Sequence, residues 1–340
     1  MAGIELGIGF TNACNYDCSH CYSRGKENTF LSLERFQNLC DSLNIISINF
    51  GTGESYLHPD FVRAVEYAHQ KGIRLSVTSN GYTVKMLDDD HLKIFNDIDL
   101  SLDFSETHEH DDFRGSGAAT DVREGVERCK KLGVEVSLAT AMMKENYREM
   151  DKIAKLAKEL DVNLRINTYK PVNTTRHKLT YDEFWEGIKR LFGSASIISC
   201  SEPVVNALLG NKTLDGGSPC GKQSLRVNPD GTVVPCVYWK EPICTIEDIV
   251  VRYKELGEDE FYTSLKGLST KTRIVPEACV DCEHLHICKG GCTASRYYNN
   301  IYEPDPYCFV LKNDKPDITW TWAKEKSLVH SNYLCTIIVQ

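Results

Sequence analysis

The chain has 340 residues, of which 41% are hydrophobic and 26% are charged, and its formal net charge is −9. This length and composition allow one large domain or two moderate ones with a real core. The acidic balance gives no electrostatic footprint for nucleic acid, and the sequence has neither a signal segment nor an apolar run of the roughly 18 residues that a membrane span needs, so we expect a cytoplasmic protein without a nucleic-acid or membrane partner.

The fifteen cysteines need an explanation beyond packing. Without an export signal, ligation of metal ions or clusters is favoured over disulfides. The cysteines are dense near the start of the chain and again in its last third, which predicts two separate groups of ligands.

Strands and helices alternate along the first part of the chain. The predicted strands are 4–10, 45–50, 73–81, 97–104, 134–143 and 162–169. The predicted helices are 31–43, 60–72, 122–132, 149–160 and 181–192. This alternation indicates an α/β fold with a parallel sheet and right-handed connections. Six βα steps predict a partial (β/α)6 barrel, because a complete eight-fold barrel needs about 250 residues.

Three loops rich in glycine or in potential ligands follow three of these strands. The triplet Cys14, Cys18 and Cys21 follows the first strand, "GTGE" (51–54) follows the second, and "TSNG" (78–81) closes the third. Because functional groups of such folds lie at the carboxyl ends of the strands, we expect the three loops to converge on one site.

The regular pattern ends near residue 193, where cysteine, proline and glycine become frequent and strand-turn signals such as "VNPDGTVV" occur. We expect a barrel at 1–193, a linker at 194–218, a small cysteine-rich α+β domain at 219–315 and a tail at 316–340. In the tail, Cys335 lies in the apolar segment "SNYLCTIIVQ", which favours a docked edge strand over a hydrogen-donating thiol.

The spacing C-x3-C-x2-C of the triplet indicates a metal site. Three thiolates hold three irons of a 4Fe–4S cluster and leave the fourth iron free for another ligand. A zinc ion with its fourth ligand elsewhere, such as His20, and unrelated reduced cysteines are the alternatives. His108 and His110 look like a second metal pair, but a solvated loop is the favoured interpretation.

The triplet with His20 before its last cysteine, the glycine-rich acidic turn and the six βα steps together resemble the radical S-adenosylmethionine (SAM) superfamily. The segment "SLDFSETHEHDDFRG" (101–115) is similar to another motif of that family. The resemblance implies that the three cysteines ligate the catalytic cluster, whose free iron is chelated by the amino and carboxylate groups of SAM. It implies SAM contacts for His20, Gly51, Gly53, Glu54, Ser79, Asn80, Ser101, Asp103 and Arg114.

Two positions depart from the family pattern. Thr52 replaces the second glycine of a Gly-Gly-Glu turn, and Phe104 replaces a glycine in the later segment. Gly51 and Gly53, which close backbone approach needs most, are kept. We therefore expect the turn to retain its role, with Glu54 accepting a hydrogen bond from the SAM ammonium.

The second group of cysteines contains C-x10-G-x4-C and then, after a gap, C-x2-C-x5-C-x3-C and, after fifteen intervening residues, a last cysteine. This pattern resembles SPASM domains, which follow radical SAM cores in peptide-modifying enzymes and hold two auxiliary 4Fe–4S clusters; a structural zinc ribbon is the alternative. The resemblance implies two ligand sets: Cys220, Cys236 and Cys292 for the first cluster, and Cys279, Cys282, Cys288 and Cys308 for the second. The first set is one thiolate short, and Cys200, Cys244 or an open iron are the alternatives for the missing position.

The resemblance implies three 4Fe–4S clusters and an enzyme that cleaves SAM to a 5′-deoxyadenosyl radical, which modifies a ribosomally made precursor peptide. Compact maturases of this kind are similar to those associated with Nif11-type precursors, so backbone splicing with excision of tyramine is the first specific expectation. Thioether or carbon–carbon crosslinking, epimerisation, and activation of a sulfatase or dehydrogenase are the alternatives. From another class, a non-catalytic iron–sulfur electron carrier or redox sensor is the alternative.

Two partners follow from the same resemblance. An external reductant of the flavodoxin or ferredoxin type would supply electrons. Many peptide maturases carry a leader-binding module ahead of the barrel, whereas this chain begins directly on the first predicted strand. We therefore expect that a separate carrier protein presents the precursor, or that the core binds the leader itself.

Overall fold

The structure is a computed structural model that describes residues 3–25, 27–212, 216–221, 224–261, 264, 270–324 and 335–340. Its strands are β1 (Ile4–Ile8), β2 (Ile45–Phe50), β3 (Arg74–Ser79), β4 (Asp97–Ser101), β5 (Glu135–Met142), β6 (Asn163–Thr168), β7 (Ile197–Cys200), β8 (Ser224–Val227), β9 (Thr232–Val234), β10 (Cys244–Thr245) and β11 (Thr336–Val339). Its helices are α1 (Leu33–Ser42), α2 (Phe61–Gln70), α3 (Tyr82–Met86), α4 (Asp89–Leu92), α5 (Thr107–Arg114), α6 (Ala118–Leu132), α7 (Met150–Glu159), α8 (Tyr181–Ser194), α9 (Pro203–Leu209), α10 (Ile246–Leu256), α11 (Leu285–Cys288) and α12 (Thr293–Tyr297). Short 3-10 turns occur at Ser55–Leu57, Tyr147–Glu149, Thr270–Arg273 and Glu277–Cys279.

The six predicted strands correspond to β1 to β6, which lie side by side in chain order and run parallel. Helices on the connections pack against them, as the right-handed βα rule requires. The predicted α/β class with a partial parallel barrel is therefore confirmed.

The sheet also takes strands from beyond residue 193. On one side β8 pairs parallel with β1, followed by antiparallel β9 and β10. On the other side β11 pairs antiparallel with both β6 and β7. The docked strand expected for the apolar tail is present as β11, but its expected edge position is wrong, because β11 lies between β6 and β7 and β7 forms the edge.

Local sequence signals explain where helices begin and which face they bury. The Ser32 side chain accepts a hydrogen bond from the Arg35 backbone N–H at the start of α1, and Thr180 with Glu183 forms a reciprocal capping box at the start of α8. Helix α2 buries Phe61, Ala64, Val65 and Ala68, the spacing of one helical face. None of the helices that the structure describes is long and apolar enough to span a membrane.

The strands alternate between the hydrophobic core and an inner cavity. Apolar residues at every second position, such as Ile98 and Leu100 in β4, belong to the core. The residues between them, such as Asp99 and Ser101, line the cavity instead. This period of two directs one face of the sheet toward the helices and the other toward the site.

Candidate active site

The cavity lies at the carboxyl ends of the parallel strands and has a volume of about 230 Å³. It brings together the three predicted loops, as the topology requires. The predicted site residues that line it are Cys14, Cys18, His20, Cys21, Gly51, Gly53, Glu54, Ser79, Asn80, Ser101 and Arg114.

Two thiols of the triplet, Cys14 and Cys21, have hydrogen-bond donors near their sulfur, whereas the Cys18 thiol donates to the Arg114 carbonyl at 3.8 Å. The Tyr16 backbone N–H and the Asn80 side-chain amide both donate to Cys14 Sγ, at 3.5 and 3.6 Å. Cys21 Sγ lies 3.2 Å from the Ser23 hydroxyl oxygen. Donors directed at sulfur suit thiolates, which accept hydrogen bonds more strongly than thiols do.

The triplet fits a polynuclear cluster better than a single zinc ion. Four thiolates around one zinc lie about 3.8 Å apart, given a Zn–S distance of about 2.3 Å and tetrahedral geometry. Within the described part of the chain, the sulfurs of Cys14, Cys18 and Cys21 do not all lie within 4.8 Å of one another. Burial raises the pKa of Cys18, so this side chain needs a bound cation to become a thiolate at neutral pH.

The turn after β2 approaches the cysteine loop closely at Gly53. This residue has φ +61°, and a Cβ placed on it would lie 2.3 Å from the Ala13 carbonyl oxygen. Thr52 takes φ +101°, which is strained for a β-branched residue. Its hydroxyl contacts the Tyr22 hydroxyl at 2.8 Å and accepts from the Arg226 guanidinium. The departure from glycine is therefore accommodated by two side chains that contact the Thr52 hydroxyl.

Glu54 is fully buried and fixes the start of α3. Its Oε1 accepts from the Ser79 hydroxyl and from the Thr83 backbone N–H at 2.8 Å, while Oε2 accepts from the Asn80 backbone N–H at 3.0 Å. Burial raises the pKa of Glu54, and these hydrogen bonds oppose that rise. The Thr83 hydroxyl also contacts this carboxylate, which has about four acceptor positions in all.

Asp103 has a different position from the one the resemblance implied. It does not belong to the described lining of the cavity; it lies behind Arg114, whose Nε donates to Asp103 Oδ2 at 2.7 Å. The Ala141 backbone N–H donates to Oδ1 at 3.0 Å. Burial opposes ionisation of Asp103, but the Arg114 charge outweighs it and lowers the pKa of the carboxyl to about 2. Asp103 therefore orients Arg114 at the cavity wall.

His20 forms part of the same wall. Its ring stacks on Phe113 with centroids 4.9 Å apart, and Nε2 lies 3.6 Å from Asp103 Oδ2. Burial lowers the pKa of His20 to about 4, so the ring is neutral at physiological pH. Its buried Nδ1 has no hydrogen-bond partner among the residues that the structure describes, which leaves this atom available to a ligand.

The expectation of a solvated loop around His108 and His110 is wrong for one of the two residues. Both lie on α5, and His110 is fully buried. Its Nδ1 accepts from the Asp103 backbone N–H at 3.2 Å, while His108 is exposed. The pair does not form a metal site among the described residues.

Sequence reasoning missed the polar residues on the inner faces of the strands. Arg165 Nε lies 3.4 Å from Asp99 Oδ2, and both side chains are buried. The signal was present in the sequence as single polar residues inside apolar strands, in "DIDLS" and "NLRIN". The other missed members of the lining include Asn49, Thr140, Asn167, Tyr169, Lys170, Arg226 and Tyr238.

The cysteines of the last third form two sites. Cys279, Cys282, Cys288 and Cys308 line one small cavity, and Cys220, Cys236 and Cys292 belong to one buried group. Two buried cations lie beside these thiols: Lys170 near Cys292 and Arg296 near Cys279, Cys288 and Cys292. Buried cations need anionic partners; Asp305 supplies one to both, and thiolate-held clusters at these sites would supply further negative charge.

A partial parallel barrel that gathers three cysteines and glycine-rich turns at its strand ends defines a class of enzyme with an incompletely ligated iron–sulfur cluster. The profile of the radical SAM superfamily matches residues 8–157, which identifies this part of the chain as a radical SAM domain. The chain is a radical SAM enzyme, and the family's cofactors are a 4Fe–4S cluster and SAM. This finding contradicts the alternative that the chain is a non-catalytic iron–sulfur electron carrier or redox sensor.

Individual relatives extend the likeness over most of the chain. Mycofactocin maturase MftC of Mycobacterium tuberculosis is 24% identical, over 96% of this chain and 87% of that protein. Fe-coproporphyrin III synthase of Methanosarcina barkeri is 25% identical, over 89% and 87%. Among solved structures, anSMEcpe with bound AdoMet and Kp18Cys peptide has a TM-score of 0.68 at 22% identity, covering 91% of this chain and 94% of that one.

Proposed function

We propose that this chain is a peptide maturase that uses SAM to abstract hydrogen from a precursor peptide. The observation that carries the proposal is the shared wall of the cavity: Val237 and Tyr238, beside the buried cysteine group, line it together with the triplet. Substrate, SAM site and the group with Cys292 would thus be neighbours. The maturase named among the relatives and the peptide bound with AdoMet in the structural neighbour support a peptide over a small molecule.

The chain's residues fit the cofactors in distinct roles. Cys14, Cys18 and Cys21 would hold the cluster, and Glu54 would accept from the SAM ammonium. When bound, the cluster and SAM supply a 5′-deoxyadenosyl radical. Arg114, held by Asp103, would bind a carboxylate or ribose oxygen of SAM. We extend this assignment to Gly51, Gly53, Ser79, Asn80, Ser101 and His20 as the other SAM contacts.

The protein must also keep water away from the reactive carbon. The inner faces of β4, β5 and β6 supply a wall of buried side chains, including the Asp99–Arg165 ion pair. Fixed charges inside a cavity orient a substrate strongly, because there is little water to screen them. We infer that this wall positions the peptide backbone against SAM.

We further propose that the cysteine sets beyond residue 219 hold two auxiliary 4Fe–4S clusters of a SPASM domain. The division into barrel, linker, SPASM domain and tail at 193, 218 and 315 belongs to this proposal. An external reductant of the flavodoxin or ferredoxin type and a carrier that presents the precursor are its proposed partners.

The first specific reaction to test is splicing of the peptide backbone with excision of tyramine, the reaction ranked first from the sequence resemblance. The experiment is anaerobic incubation of the reconstituted enzyme with SAM, dithionite and the precursor peptide encoded beside its gene, with and without candidate carriers. Peptide mass spectrometry then distinguishes the reactions: a fragment excised at tyrosine, loss of hydrogen on crosslinking, or deuterium uptake without other mass change on epimerisation.

The matched control is a variant with all three triplet cysteines replaced by alanine. A triplet-dependent change in the peptide supports the proposal. SAM cleavage that leaves every such peptide unchanged, together with turnover of an iron porphyrin of the kind named for the Methanosarcina barkeri relative, would contradict it.

A further inference from the structure

The buried group that contains Cys220, Cys236 and Cys292 has a fourth thiol, Cys335. All four residues are less than a tenth exposed. Trp239 and Val234 pack around them. Four thiols from four distant parts of the chain therefore share one water-poor pocket.

Cys335 is central in this group. Its thiol is in hydrogen-bonding contact with those of Cys220 and Cys292, and Cys220 in turn contacts Cys236. The Ser218 hydroxyl oxygen lies 3.4 Å from Cys335 Sγ. Cys335 thus joins the three thiols that the sequence pattern had already grouped.

The end of the chain fixes this thiol in place. Cys335 immediately precedes β11, which is paired on both sides, with Ile337 opposite Ile166 and Cys200. Ser201 adds two hydrogen bonds to Thr336: its backbone N–H donates to the Thr336 carbonyl at 2.8 Å, and its Oγ accepts from the Thr336 N–H at 3.0 Å. A residue one step before such a strand has little freedom to move.

The two alternatives considered from sequence lie elsewhere. Cys200 ends β7 within the main hydrophobic core, and its thiol donates to the Glu202 carbonyl at 3.8 Å. Cys244 begins β10 and pairs with Val233. Neither belongs to the group around Cys220.

We infer that Cys335 is the fourth thiolate ligand of the first auxiliary cluster, together with Cys220, Cys236 and Cys292. This inference rests on the proposal that the C-terminal cysteines hold auxiliary clusters. A competing ligand is the buried Glu202, which has a carboxylate oxygen within 4.8 Å of both Cys292 Sγ and Cys335 Sγ.

Glu202 has another partner, which makes it the weaker candidate. Lys170 Nζ lies 3.9 Å from its Oε2, and both side chains are almost fully buried. The same lysine donates to the Ser295 hydroxyl at 2.6 Å. Glu202 and Asp305 both balance the Lys170 charge, and ligation of iron by Glu202 would draw one of these two carboxylates away from the buried cation.

Complete ligation decides what the cluster can do. A cluster with four thiolates has no open iron, so it cannot bind the substrate as a Lewis acid. Its site borders the SAM cavity, since Lys170 both lines that cavity and lies near Cys292. The first auxiliary cluster would therefore serve electron transfer rather than substrate ligation.

The test uses the full chain with Cys14, Cys18 and Cys21 replaced by alanine, so that only auxiliary clusters remain. In this parent, Cys335→Ala is compared with Cys200→Ala, Cys244→Ala and Glu202→Gln after anaerobic reconstitution with iron-57. Iron and sulfide are counted, Mössbauer spectra are recorded, and EPR spectra are taken before and after dithionite reduction.

We expect the parent, Cys200→Ala, Cys244→Ala and Glu202→Gln to hold about eight irons each with the same spectra. Cys335→Ala should lose about four irons, or convert one cluster to a three-iron form visible by EPR in the oxidised state. Unchanged iron and spectra in Cys335→Ala overturn the inference, as does a changed spectrum in Glu202→Gln alone. Because the sulfurs of this group are in contact, as they would be around a single zinc ion, zinc is counted as well. A parent with no iron beyond background, or with zinc in place of the iron of one cluster, contradicts instead the proposal of auxiliary clusters.

A second measurement does not depend on comparing the folding of variants. Cyanide binds an open iron site but has no vacant position on a fully ligated one. We expect cyanide to leave the spectrum of the parent unchanged. When Cys335→Ala is reconstituted with excess iron and 2-mercaptoethanol, the added thiol should restore the four-iron spectrum, and cyanide should shift that spectrum by displacing the thiol. A parent spectrum that responds to cyanide would mean that an auxiliary iron is open despite Cys335, and would overturn the inference.

Discussion

Replacing Gly53 with alanine tests whether the turn after β2 must lie against the cysteine loop. The new Cβ would lie 2.3 Å from the Ala13 carbonyl oxygen and 2.7 Å from the Asn12 carbonyl carbon. The φ of +61° adds about 1–2 kcal/mol of backbone strain for a residue with a Cβ. Moving Ala13 away would also break its 2.7 Å hydrogen bond from the Glu54 backbone N–H, which costs about 1 kcal/mol.

The matched control is Gly133→Ala. Gly133 has a similar φ of +72° at the end of α6, but a Cβ there would have nothing within 4 Å. Both variants share the backbone strain. The additional loss in free energy of unfolding in Gly53→Ala therefore measures the cost of the close approach between the turn and the cysteine loop.

We expect that additional loss to be about 2–3 kcal/mol, or roughly 30- to 150-fold in an equilibrium constant. Anaerobic denaturant unfolding should therefore show this loss in free energy of unfolding for Gly53→Ala relative to Gly133→Ala. Because the displaced turn lines the cavity, equilibrium dialysis with labelled SAM should also show weaker binding for Gly53→Ala and unchanged affinity for Gly133→Ala. Equal SAM affinity in the two variants would refute the role of the turn.

Two further predictions concern buried charges near the cavity. Asp103→Asn should destabilise the protein by about 3–5 kcal/mol because it leaves Arg114 without its carboxylate. The control Asp17→Asn breaks an exposed 2.7 Å pair with Arg24 and should cost less than about 1 kcal/mol. Equal shifts in melting temperature for the two variants would contradict this prediction. Burial lowers the pKa of His110 to about 4, so its stabilising contribution is present above pH 6.5 and is lost as the pH falls toward 4. The advantage of the wild type over His110→Gln in free energy of unfolding should shrink by about 2 kcal/mol between pH 7 and pH 5, and a pH-independent difference between the two would count against it.

The parallel part of the fold could be predicted because its signals are local. Each of the strands β1 to β6 is a short apolar run followed by a turn and an amphipathic helix, so the period of the pattern changes visibly along the chain. Strand β11 has only the four residues Thr336–Val339, and its partners β6 and β7 lie more than 130 positions away. Nothing local distinguishes an inserted antiparallel strand from an edge strand.

The candidate site likewise has one part that could be predicted from the sequence and one part that could not. The triplet and the turn at Gly53 were predictable because spacing and glycine are readable in the sequence. Asp103 and Arg114 were expected as two ligand contacts, but their opposite charges hold them to each other once buried. Cys335 belongs to no spacing pattern, and only the pairing of β11 brings it to the other thiols.

The central claim is that three thiolates hold a cluster that cleaves SAM. The most direct test is mass detection of 5′-deoxyadenosine from the anaerobically reconstituted chain with SAM and dithionite, alongside the variant that replaces Cys14, Cys18 and Cys21 with alanine. We predict about twelve irons per chain and 5′-deoxyadenosine for the wild type, and about eight irons without 5′-deoxyadenosine for the variant. Equal amounts of 5′-deoxyadenosine from both proteins, or none from a wild type that carries its full iron, would contradict the account.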